Sequence, residues 1–65
     1  MDLRIWQQRT AKHVSLKELS KLTNISISAL DNYENGIRYP NILQMELIAK
    51  ALDVKIEDLY SSEYK

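Results

Sequence analysis

The sequence predicts an all-α domain of five short helices. Three observations carry that expectation. Leucine and isoleucine recur at helical spacing along most of the chain. Ser15, Ser26 and Asn41 each stand just ahead of such a run, where a side-chain oxygen can cap the free N–H groups of a helix start. The chain is short and lacks cysteine, so a bundle of helices with local contacts is favoured, and no strand is expected. Sixty-five residues make a single domain, 1–65, without internal repeat or linker. A chain this short buries little surface, and without cysteine neither a disulfide nor a thiolate metal site can brace it. Local helix packing is the economical solution.

The first helix is expected over Leu3–Lys12, with Ile5 and Arg9 on one face and the direction of Trp6 left open. Ser15 opens the second, Leu16–Thr23, with Glu18 three residues on as a capping box. Its inward stripe is read as Leu16, Leu19 and Leu22. Asn24 ends this helix, because Asn tolerates the left-handed backbone of a tight turn. Ser26 caps the third helix, Ile27–Asn35, with Ile25 and Leu30 placed as a hydrophobic staple and Leu30 and Tyr33 inward. Gly36, the single glycine, can take positive φ after that helix, and Pro40 prevents its continuation. Asn41 caps a fourth helix, Ile42–Leu52, with Ile42, Met45, Ile48, Ala49 and Leu52 as core stripe. Ile56–Tyr60 is a last short helix, and 61–65 is expected to be a frayed tail.

Composition excludes several classes. The longest apolar run is two or three residues, too short for a membrane span or signal peptide core, so a cytoplasmic location is expected. Net charge is zero, which argues against indiscriminate nucleic-acid binding. Residues 1–40 nevertheless hold six cations against four acids, and 41–65 three against five, so one part is basic and the other acidic. His13 sits at a helix–helix turn with no second His, no Cys and no adjacent acid, which suits a turn residue better than a ligand or catalyst. No nucleophile, base and orienting group cluster, and the chain has no room for an enclosed pocket of about 300 Å³. No enzyme, metal, cofactor or small-molecule ligand is expected.

Two helices joined by a turn of about three to four residues make the arrangement that enters the DNA major groove. On the second of them Ile27, Ser28, Asp31 and Asn32 point away from the inward Leu30 and Tyr33. Asn pairs with adenine, Ser donates or accepts, and an aliphatic side chain meets a thymine methyl. The run Ser15-Leu16-Lys17-Glu18-Leu19-Ser20, the turn Asn24-Ile25-Ser26, and Glu34-Asn35-Gly36 followed by Arg38-Tyr39-Pro40-Asn41 resemble the lambda-repressor-like, Cro-type (XRE) helix-turn-helix family of small bacterial and phage transcription regulators. Ile48–Val54 and Glu57–Tyr60 extend the resemblance, which runs from Arg4 to Tyr60, with the helix-turn-helix at about 15–35.

That resemblance implies roles for matched positions. Ile27, Ser28 and Asn32 read bases, with Asp31 on the same face. Arg9 and Glu34 form an ion pair between the first helix and the end of the recognition helix, orienting Arg9 near phosphate. Arg38 and Asn41, with Lys17 and Ser26, contact the DNA backbone. Double-stranded DNA is the expected partner, bound as a homodimer. Three departures from the family pattern stand out: Leu16 in place of the usual Gln, an acidic Asp31 on the reading face, and an apolar Ile27. They favour weak non-specific binding, and they leave open an alternative in which the fold serves as a protein-interaction module. Ile27 is equally placed to pack on the turn, and the Arg9–Glu34 pair to be a plain surface pair. Leu43 and Leu47, at i and i+4 opposite the core stripe, are either a dimer surface with Ile56, Tyr60 and Tyr64 or a seat for the C-terminal segment. Met1 reads as a native start, and a further domain after the last residue stays open.

Overall fold

The computed structural model describes residues 2–64. Met1, and Lys65 at the end of the expected tail, lie outside the described residues. Four α-helices are present: α1 (Ile5–Ala11), α2 (Leu16–Thr23), α3 (Ile27–Glu34) and α4 (Ile42–Leu52). The fifth expected helix is instead a 3₁₀ turn, Ile56–Leu59. Two strands of two residues each, β1 (Asp2–Leu3) and β2 (Tyr60–Ser61), pair antiparallel with Asp2 opposite Ser61 and Leu3 opposite Tyr60.

The chain ends therefore differ from the all-helical expectation, for a backbone reason. Arg4 N–H donates to the Leu59 carbonyl at 2.7 Å, so the residues around Leu3 are drawn into a ladder with the far end of the chain and α1 begins only at Ile5. At the other end, the Asp58 carboxylate accepts the Lys55 N–H at 3.0 Å and Asp58 N–H donates to the Lys55 carbonyl at 3.0 Å. One tight turn drops Leu59 into the core, and Tyr60 leaves it extended. Ser61, expected to start a frayed tail, is paired with Asp2.

The core is built from every helix: Ile5, Leu19, Ile25, Leu30, Tyr33, Met45, Ile48, Ala49, Leu52 and Leu59. Two expected core residues are outside it. Leu22 is 61% exposed, and Thr23 is buried in its place. Helical residues advance about 100° each, so position 22 has rotated about 120° from position 16 while position 23 returns to within about 20° of it. Burying a hydroxyl needs partners. Thr23 Oγ1 donates to the Leu19 carbonyl at 2.7 Å and accepts the Ile25 N–H at 3.2 Å. Ile42 is likewise 68% exposed, since it opens α4 at the edge of the stripe that Met45, Ile48, Ala49 and Leu52 bury.

Capping also departs from the sequence pattern. Ser15 Oγ accepts the Glu18 N–H at 3.0 Å, but the Glu18 carboxylate takes the Ser15 hydroxyl rather than its N–H, so only half a box forms. The complete box is at α4, where Asn41 Oδ1 accepts the Gln44 N–H at 2.8 Å and Gln44 Oε1 accepts the Asn41 N–H at 2.9 Å. Asn24 ends α2 in the left-handed region at φ 60°, and Gly36 follows α3 at φ 72°.

A Cβ added at Gly36 meets nothing within 4 Å, so only the backbone opposes a side chain there. Gly36→Ala should lower stability by about 1 kcal/mol in urea unfolding, with the fold unchanged.

Candidate nucleic-acid interface

The turn between α2 and α3 is held by local hydrogen bonds. Asn24 N–H donates to the Ser20 carbonyl at 2.8 Å, and Ser20 Oγ donates to the Ile25 carbonyl at 2.6 Å. Ser26 Oγ then accepts the Ala29 N–H at 3.1 Å and starts α3. Buried Ile25 and Leu30 flank this start on the core side, as a staple requires. With Leu30 and Tyr33 buried, α3 turns Ile27, Ser28 and Asp31 to solvent and leaves Asn32 half-buried. Ile27 is 47% exposed.

The end of α3 is fixed from two sides. Arg9 Nε and Nη2 donate to the two Glu34 carboxylate oxygens at 2.7 and 3.0 Å, and Nη1 donates to the Val14 carbonyl at 2.9 Å. The side chains are only 12% and 6% exposed, so this is no plain surface pair. Its paired, planar geometry is the strong form of a charged hydrogen bond. The hydrogen bond that Arg9 donates to Glu34 raises the Arg9 pKa above its ordinary value against the lowering effect of burial, and the Glu34 charge adds to the rise. A raised value keeps the arginine charged throughout the neutral range, and its stabilisation fades only in strong alkali. Most of the Arg9 fork is committed inward, which makes it a clamp between α1, the following turn and α3.

The second anchor was missed in the sequence. Tyr33 Oη donates to Gln44 Oε1 at 3.0 Å, the same oxygen that accepts the Asn41 N–H. One amide oxygen thus joins the inward side of α3 to the cap of α4. The signal was Asn41 three residues before Gln44, a capping-box spacing, although nothing in the sequence pointed to Tyr33 as its partner.

The other expected contact residues occupy exposed positions. Lys17 lies in the first turn of α2, Ser26 and Asn41 are caps, and Arg38 is in the loop after α3. The Ile37 and Arg38 N–H groups donate to the Asn32 carbonyl at 2.9 and 3.3 Å, tying that loop to α3. Leu16 packs against the core, which explains an apolar residue at the start of α2. Ile56 and Tyr60 are half-buried against the core of their own chain, whereas Leu43 and Leu47 are 60% and 37% exposed.

These features define a helix-turn-helix domain: a braced helix pair whose second member presents a polar and apolar face to solvent. The family model described as Helix-turn-helix matches residues 7–59, and the chain belongs to that family. It is 32% identical over 60 residues to the HTH-type transcriptional activator BcrR of Enterococcus faecalis, covering 92% of this chain and 29% of that protein. An uncharacterized HTH-type transcriptional regulator of Mycobacterium tuberculosis is 39% identical over 56 residues, covering 86% of this chain and 40% of that protein. The chain thus spans well under half the length of these relatives. Its fold matches the crystal structure of the restriction-modification controller protein C.AhdI from Aeromonas hydrophila with a TM-score of 0.83 and 30% identity, covering 88% of this chain and 86% of that one. No helix among the described residues is long and apolar enough to cross a membrane.

Glu34→Gln weakens the clamp and leaves a nearly buried guanidinium without its counter-charge. Thermal and urea unfolding should show a loss of about 1–3 kcal/mol, and most of that loss should vanish in an Arg9→Met background.

Proposed function

We propose that this chain binds double-stranded DNA sequence-specifically as a transcription regulator, with α3 in the major groove. The outward face of α3, made by Ile27, Ser28, Asp31 and Asn32 on a helix clamped at both ends, carries the reading. Direct readout needs short side chains held in one geometry, with Asn suited to adenine and an exposed aliphatic group suited to a thymine methyl. Lys17, Ser26, Arg38 and Asn41 supply backbone contacts from the helix starts and the loop, with two N–H groups of Arg9 remaining for phosphate. The names of the relatives, regulators of transcription and a restriction-modification controller, support the same role.

The active unit in this proposal is a homodimer reading half-sites about one helical turn apart. Leu43 and Leu47 supply the apolar centre of its interface, with Ile42 exposed beside them on α4. Ile56 and Tyr60, half-buried in their own chain, contribute at most an edge.

Selection from a random duplex library should enrich a palindrome for the wild-type chain. Asn32→Ala should weaken binding to the winner by roughly tenfold to hundredfold while changing non-specific binding little. No enrichment, or binding that ignores Asn32, would move the assignment to a protein-interaction module. Leu47→Glu should convert a dimer to a monomer in sedimentation, and a wild-type monomer or an unchanged variant would remove α4 as the interface.

A further inference from the structure

The proposed reading face carries a charge of the wrong sign for DNA. Asp31 is exposed, one turn beyond Ile27 and Ser28 and adjacent to Asn32. Its backbone carbonyl accepts the Asn35 N–H at 3.0 Å, but its carboxylate has no hydrogen bond or ion pair among the described residues. No cation on α3 offsets it, because that helix contains no Lys or Arg. Its other acid, Glu34, is committed to Arg9. The chain as a whole has no net positive charge to draw it onto phosphate.

An ionised carboxylate only accepts hydrogen bonds. The major groove offers it mainly other acceptors: guanine O6 and N7, adenine N7 and thymine O4. Two donors exist there, the amino groups of cytosine and adenine. The adenine amino group stands next to the N7 acceptor, an arrangement that suits an amide side chain and repels a carboxylate. The cytosine amino group has no acceptor beside it on its own base. A carboxylate brought into the groove against any other edge is left desolvated and unpaired, which is strongly unfavourable.

We infer that Asp31 is a specificity-determining residue of the DNA-binding face: its carboxylate accepts from a cytosine amino group in the cognate site and repels duplex DNA that offers none. The inference rests on the DNA-binding reading above. It gives a physical use to a residue that would otherwise only weaken that reading. The Asp side chain has one methylene, so it reaches a base edge only when α3 is fully seated. Non-specific complexes meet only the repulsion. Discrimination is gained by lowering affinity for the wrong DNA rather than by raising affinity for the right one.

The test compares wild type, Asp31→Asn and Asp31→Ala in duplex selection and in binding to the selected site and to scrambled duplex, at two salt concentrations. The carboxylate has no partner among the described residues, so both variants should keep the wild-type helicity. Wild type should show a cytosine at one position of each half-site. Asp31→Asn should shift that position towards adenine, and Asp31→Ala should leave it without preference. Both variants should bind scrambled duplex about threefold more tightly at low salt. Their ratio of specific to non-specific affinity should fall by roughly tenfold. Variants that tighten binding to every duplex by one factor, with an unchanged base profile, would show a charge acting outside the groove and overturn the inference. Unchanged affinities would do the same. A wild-type chain that enriches no sequence overturns the DNA-binding reading itself, and this inference with it.

Discussion

The Arg9–Glu34 fork is the interaction on which the arrangement of this domain turns. It joins residues 25 positions apart, and both side chains are nearly out of solvent. Nearly buried charges are tolerable only when paired and hydrogen-bonded, so the fork is satisfied only when α1 and the end of α3 meet in one geometry. The Val14 carbonyl takes a third N–H of the same guanidinium and draws the α1–α2 connection into that geometry. Apolar packing alone leaves neighbouring helices some freedom to slide. A planar two-point contact does not, and the helix so fixed is the one proposed to meet the bases.

A second principle is economy. Gln44 Oε1 serves the α4 cap and the inward Tyr33 at once, and Thr23 Oγ1 serves two backbone groups in the α2–α3 turn. A domain of this size has few interior positions, so polar atoms near the core carry double duty. The exposed face of α3 is different. Its side chains are left uncommitted, which is the state required of groups reserved for a partner. The anchored residues and the outward ones are thus separated residue by residue along a single eight-residue helix.

Much of this was legible in the sequence wherever the signal was local. The caps Ser15, Ser26 and Asn41, the left-handed Asn24 and Gly36, and the bounds of α2 and α4 follow from neighbouring residues and emerge as expected. The Arg9–Glu34 pair was legible only through family resemblance, because nothing in the two segments alone brings them together. Readings failed where geometry accumulates or the chain returns on itself. Leu22 looks like Leu16 and Leu19 in the sequence, but helical rotation favours Thr23. Ile42 has the composition of a core residue and stands where the core has already ended. The pairing of β1 with β2 involves two residues on each side, too few for a strand signal. Contact residues on DNA are a different matter, since a face can be seen to be outward in the chain alone, while what it touches belongs to the partner.

The pairing of the chain ends has a mechanical consequence. Asp2 lies opposite Ser61, and Leu3 opposite Tyr60, so the outermost residues of the ladder are those nearest the two termini. Tension applied at the ends therefore loads one pair at a time, as in a zipper, rather than shearing both together. The ladder and the Arg4–Leu59 bond should peel open under low force, while the helices, joined through the buried core and the Arg9–Glu34 fork, stay assembled. A pull on the termini would lengthen the tether between the domain and anything attached to it before disturbing the outward face of α3.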